Sequence, residues 1–82
     1  MRLTKLLEKL RHQPHNTRFQ DLVIAAEAVG FVYVRTTGAH QFYRHHKHTH
    51  LQLNLQPVRG RAKGYQVKDF LQKVERYNLD DE

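Results

Sequence analysis

Leu51-Gln52-Leu53-Asn54-Leu55-Gln56-Pro57 alternates leucine with a polar residue for six positions before a proline ends the run. Successive side chains of a strand point to opposite faces. The spacing therefore predicts a strand with Leu51, Leu53 and Leu55 inward and Gln52, Asn54 and Gln56 outward. Its neighbours lie upstream: Phe31-Val32-Tyr33-Val34 is β-branched and aromatic, Thr36-Thr37-Gly38 reads as a turn, and Phe42-Tyr43 resumes strand character. A hairpin followed by a third strand is an antiparallel meander whose apolar face needs cover. The outward row Gln52, Asn54 and Gln56 suits sugars, phosphates or base edges, or water alone.

Cover is available on both sides of the strands. Leu3, Leu6, Leu7 and Leu10 recur at the spacing that lays one apolar stripe on a helix, here over residues 3–11. Gln13-Pro14-His15-Asn16-Thr17 breaks the pattern, and Phe19, Leu22, Val23 and Ala26 restore it in a helix over about 18–29, which Gly30 ends in the left-handed conformation. Val67, Phe70, Leu71, Val74 and Tyr77 form the last stripe, after a loop through Gly60 and Gly64, and Asp80-Asp81-Glu82 reads as a frayed tail. The expected fold class is α+β, with three antiparallel strands in a single domain spanning 1–82. Residues 1–12 form an N-terminal helical extension, and residues 18–79 an αβββα core.

With 82 residues the core is modest, and with no cysteine the chain has no disulfide to support it. No stretch approaches the roughly 20 apolar residues needed to span a bilayer, and no leader with a small-residue cleavage site is evident. The expectation is a soluble cytoplasmic protein with no membrane partner.

The net charge of +6 is unevenly placed. All eight acids (Glu8, Asp21, Glu27, Asp69, Glu75, Asp80, Asp81 and Glu82) lie outside residues 31–64, a segment that holds Arg35, Arg44, Lys47, Arg59, Arg61 and Lys63. Such a one-signed patch concentrates a polyanion. Those six are the candidate nucleic-acid-binding residues, with solubilising surface charge as the alternative.

Several chemistries are unsupported. No serine-centred elbow and no phosphate-cradling Gly-rich loop is present, and the strand region lacks the carboxylates that two-metal nucleases need. No cofactor site is called. Histidine is abundant instead, with His40, His45, His46, His48 and His50 between the first and third strands. His46, His48 and His50 would share a face if extended, but the turn residues among them favour a solvated, partly cationic hairpin tip over a metal site. His40 follows the Gly38-Ala39 turn and opens the second strand, exposed yet held by the backbone. Catalytic and surface roles both fit it.

From Phe19 onward, over about three quarters of its length, the chain resembles the HicA family of toxin–antitoxin proteins. The resemblance rests on Ala28-Val29-Gly30-Phe31, Thr37-Gly38-Ala39-His40-Gln41-Phe42-Tyr43-Arg44-His45, Leu53-Asn54-Leu55-Gln56 and Ala62-Lys63-Gly64-Tyr65-Gln66-Val67. Ala39 stands where the family carries serine, Gln41 where a histidine or basic residue is frequent, and Gly64 at a place associated with proline. The resemblance implies a fold like a double-stranded-RNA-binding domain, cleavage of messenger RNA, and a HicB-type antitoxin as partner. It also implies His40 as the active histidine.

A metal-independent ribonuclease lets the ribose 2′-hydroxyl attack the adjacent phosphorus while a histidine moves a proton and cations offset phosphoryl charge. That casts His40 as general acid or base, helped by Arg35, Arg44 or Lys63. His45 and Tyr43 are candidate second proton carriers, but strand alternation places both opposite His40. A non-catalytic RNA-binding module and a protein-binding domain with incidental basicity are the rival classes.

Overall fold

In the computed structural model, which describes residues 2–81, the chain runs α1 (Leu3–His12), α2 (Phe19–Ala28), β1 (Phe31–Thr37), β2 (His40–His45), β3 (Gln52–Leu55) and α3 (Gly64–Tyr77). Short 3-10 turns occupy Pro14–Asn16 and Leu79–Asp81. The fold is α+β, and its antiparallel sheet has the order β1-β2-β3 with β2 central.

The leucine stripes become the core. Leu6, Leu7 and Leu10 of α1 are buried with Leu22, Ala25 and Ala26 of α2, and with Val67, Phe70, Leu71 and Val74 of α3. Each leucine withdrawn from water contributes about 1.5–3 kcal/mol, so α1, with three of them, is a working part of the core. Lys9 of α1 also meets Asp21 in the first turn of α2, Nζ to Oδ2 3.2 Å. The sheet presents Phe31, Tyr43, Leu53 and Leu55 to the helices, as the alternation on β3 predicts.

The first hairpin is tighter than its sequence suggests. Thr36 and Thr37 belong to β1, Thr37 pairs with His40, and the turn is only Gly38-Ala39. Threonine's branched Cβ suits a strand, and Gly38 at φ 60° takes the positive-φ first position of a two-residue hairpin turn. β1 also carries a bulge: Tyr33 pairs with Tyr43 but Arg35 pairs with Phe42, leaving Val34 as the extra residue. The extra residue reverses the alternation, so Arg35 leaves the helix side and joins the open face.

His45 departs from the solvated hairpin tip expected for the histidine-rich stretch. It is 1 % exposed, its ring stands edge-on to Phe31 at 5.2 Å, and its Nε2 donates to the Val29 carbonyl at 2.8 Å. Nδ1 accepts the backbone N–H groups of Lys47 and His48, each at 3.1 Å. The imidazole thereby ties the end of α2 to the β2–β3 loop and leaves no polar atom of its own unpaired.

After β3, Val58-Arg59-Gly60-Arg61 makes a second tight turn with Arg59 at φ 54° and Gly60 at φ 78°. The returning strand clasps the start of α2: Phe19 N donates to Gly60 O at 3.0 Å and Ala62 N to Thr17 O at 2.9 Å. Gly64 opens α3 at its first position, where proline is also favoured. At the other end Asn78, at φ 50°, caps α3 and directs Leu79 into the core. Asp80 and Asp81 therefore sit in an ordered turn rather than a frayed tail, and Glu82 lies outside the described residues. No helix among the described residues is long and apolar enough to cross a membrane.

Candidate functional site

The helices cover one face of the sheet and leave the other open. Strand alternation on β2 puts His40, Phe42 and Arg44 on this open face. Pairing brings Asn54 opposite Phe42 and Gln52 opposite Arg44. His40 Nδ1 lies 2.9 Å from Asn54 Oδ1. An amide oxygen only accepts, so Nδ1 carries the proton, and Nε2 of the neutral ring keeps a lone pair directed outward. The bulge supplies the next neighbour: the Arg35 guanidinium stacks over Phe42, 4.3 Å from the ring centroid. Arg35, Phe42, Arg44 and Gln52 line one small hollow on this face.

Of the six basic candidates, Arg35 and Arg44 thus share a face with His40. Lys63 is at the same end of the sheet, its Nζ donating to Gln56 Oε1 at 2.8 Å, just beyond the Leu55–Gln41 pair. Arg59 is displayed at the tip of the second tight turn. Arg61 is engaged within the fold, pairing with Arg18 along the backbone and donating from its guanidinium to Asn16 Oδ1. Lys47 follows the far end of β2. At about 3.3 Å per residue, the strand separates that end from His40 by roughly 16 Å. The patch that is continuous in sequence is therefore two groups in space: Arg35 and Lys63 stand at the His40 end of the sheet, whereas Arg44 shares the open face but lies about 13 Å along β2, toward the Lys47 end.

Neither Tyr43 nor His45 reaches the open face. Tyr43 is buried, donates from its hydroxyl to Gln41 Oε1 at 2.9 Å, and has its phenol pKa pushed above the ordinary tyrosine value. Burial is the main cause, followed by the charge of Glu27 and the proximity of Tyr33. The remaining loop histidines pack elsewhere, with His48 and His50 each 5.5 Å from the Tyr77 ring on α3. Among the described residues no three His, Asp or Glu side chains converge as metal ligands would.

Beside His40 the sheet edge and α3 enclose a cleft of about 410 Å³, lined by His40, Gln52, Asn54, Tyr65, Gln66 and Asp69. A second hollow of about 530 Å³ lies along α3 on the other side of Asp69, with Lys73 and Arg76 on its wall. Tyr65, Gln66 and Asp69 carry no motif that marks them in the sequence. They enter the site because α3 packs its first two turns against β3. Asn54 was visible only as one of three outward polar residues. Comparison with family models, curated proteins and solved structures gives no match for this chain.

Proposed function

We propose that the chain is a cytoplasmic RNA-cleaving toxin of the HicA type, which binds messenger RNA across its open sheet face and is neutralised by a HicB-type antitoxin covering that face. The observation that carries this reading is the His40–Asn54 pair, with Arg35 stacked on the neighbouring Phe42 and Lys63 at the same end of the sheet. The pair leaves His40 Nε2 free to take the proton of a ribose 2′-hydroxyl. The 2′-oxygen then bonds to phosphorus, the bond from phosphorus to the 5′-oxygen breaks, and water protonates the leaving oxygen. The products are a 2′,3′-cyclic phosphate and a free 5′-hydroxyl. Cationic side chains favour the added negative charge on the phosphoryl oxygens. Asn54, which touches His40 rather than the reacting atoms, is a positioning residue. An arginine at φ 54° supports a binding role as well, because Arg59 holds a conformation that glycine or asparagine occupies with less strain.

A module that holds RNA without cutting it is the second reading. It is favoured by Ala39, which offers neither a hydroxyl nor a charge beside His40. The two separate cleanly. Purified protein, cleared of host nuclease, is incubated with RNA alongside His40→Ala, and growth is followed on expression of each. Cleavage and growth arrest confined to the parent support the toxin. Equal cleavage by a folded His40→Ala removes His40 from the mechanism, and binding without cleavage by either protein favours the module.

A further inference from the structure

We propose that the cleft beside His40 takes one unpaired nucleobase, stacked on Tyr65 and read by the Asp69 carboxylate, so that the substrate is single-stranded rather than duplex RNA. The inference rests on the RNA-cleavage reading and adds to it the class of RNA and the base that is read.

Size is the first support. At about 410 Å³ the cleft falls within the range of about 300–1,000 Å³ typical of small-ligand sites. It suits one nucleotide unit. A duplex is instead held by shape across successive grooves, which calls for a broad cationic surface.

Charge is the second. The open face near His40 carries Arg35, whereas the cleft wall carries a carboxylate, Asp69. Paired with Lys73, this carboxylate offers a phosphate no net attraction, while a base meets an acceptor for its N–H groups. Lys73 Nζ binds Asp69 Oδ2 at 2.6 Å and so fixes the carboxylate, yet a carboxylate has about four lone-pair sites. Guanine presents two N–H donors side by side on its Watson–Crick edge, and that edge is open only when the base is unpaired. The backbone of the same nucleotide then lies toward Arg35, with His40 Nε2 between base and phosphate.

Tyr65 is the third. Its ring is 65 % exposed on the first turn of α3, and its edge of the cleft is braced from beneath by Gln66, itself only 6 % exposed. Gln66 Oε1 accepts the Gln56 backbone N–H at 3.2 Å, and its Nε2 lies 3.5 Å from the Tyr65 hydroxyl. Lys63 Nζ stands 6.0 Å from the ring centroid, near the phosphate that would follow a stacked base. An exposed ring on a braced support is a stacking platform, and base–aromatic stacking tolerates any base while favouring an unpaired one.

The test uses the full chain carrying His40→Ala, so that RNA stays intact, and fluorescence anisotropy with a labelled single-stranded oligonucleotide and the duplex made from it. The single strand is expected to bind at least about tenfold tighter than the duplex. Adding Tyr65→Ala is expected to weaken single-strand binding about 5- to 150-fold, the measured worth of one stacked base, with no change in salt dependence. Tyr65→Phe keeps the ring and is expected to restore binding to within about twofold. Asp69→Asn is expected to erase a preference for guanine over adenine at one position of the oligonucleotide. Equal or tighter duplex binding, or Tyr65→Ala binding within twofold of its parent, overturns the inference. If the unmodified chain still cleaves RNA in that case, the function reading stands without it. If the unmodified chain neither binds nor cleaves RNA, both fall.

Discussion

Gly30→Ala is expected to destabilise the protein severely, although it adds one methyl group at the surface of a turn. Gly30 has φ 108°, a conformation that an L side chain rarely adopts, and a Cβ built there would lie 2.6 Å from His45 Nε2 and 2.8 Å from His46 Cδ2. The backbone strain costs about 1–3 kcal/mol. Relieving the contact by moving the His45 ring adds about 1–3 kcal/mol, the usual effect of overpacking a filled core. The ring cannot yield cheaply, because its 2.8 Å bond to the Val29 carbonyl and its two 3.1 Å bonds from the loop hold it from both sides. A domain of 82 residues is held by only about 4–12 kcal/mol. At about 4–8 °C per kcal/mol, the thermal midpoint should fall by at least about 10 °C. Circular dichroism melts of parent, Gly30→Ala, His45→Ala and the double variant measure both parts. The contact contribution disappears when the ring is absent, whereas the φ strain stays, so the double variant should lose about 1–3 kcal/mol less than the two single losses combined. A Gly30→Ala midpoint within 3 °C of the parent, or simple additivity in the cycle, would refute the packing account of His45.

Asn54→Ala is expected to lower the cleavage kcat about 10- to 100-fold, with Asn54→Asp, which keeps an acceptor toward His40 Nδ1, closer to the parent. Nitrogen NMR of the His40 ring should show one tautomer in the parent and a mixture in Asn54→Ala, and an unchanged spectrum would remove Asn54 from the mechanism. RNA affinity should fall with salt at a logarithmic slope near about −3. Lys63→Ala should reduce that slope by about one, and Lys47→Ala, beyond the far end of β2, should leave it unchanged. Equal effects of the two would mean that RNA covers the whole sheet. Tyr43 makes stability fall in alkali: its folded pKa is raised, so its contribution is complete below about pH 10 and is lost as pH rises through the folded value. Urea midpoints between pH 9 and 11 should decline more steeply in the parent than in Tyr43→Phe. Deleting Val34, the unpaired residue of the bulge, should leave Arg35 opposite Phe42 and the salt slope intact, and a slope that falls by one would show that the bulge itself positions Arg35.

The three helices and the third strand were legible because each is written as a local period. Leu3, Leu6, Leu7 and Leu10 specify one helical face wherever that helix packs, and Leu51, Leu53 and Leu55 specify one strand face. Gly30 and the Gly38-Ala39 turn were legible for a related reason, since a positive φ leaves a residue-type signature at a single position. The same turn marks His40 as the residue that opens β2. Relations between elements, by contrast, leave no period. Read by strict alternation, Arg35 falls on the helix side with Phe31 and Tyr33. It reaches Phe42 only because Val34 takes up an extra step, and the strength of the β1–β2 pairing on either side decides where that step falls. His45 has the same polar composition as His46 and His48, yet it is buried because the void above Gly30 and the bare carbonyl of Val29 lie within reach of its ring. Tyr65 and Asp69 are two spots on a helix until α3 is docked on β3, and that docking is set by Val67, Phe70 and Val74 on the opposite side of the helix. The cleft is thus a by-product of core packing. A substitution such as Phe70→Leu, whose side chain is buried in the core and does not line the cleft, is expected to alter the site by changing the distance between Tyr65 and His40.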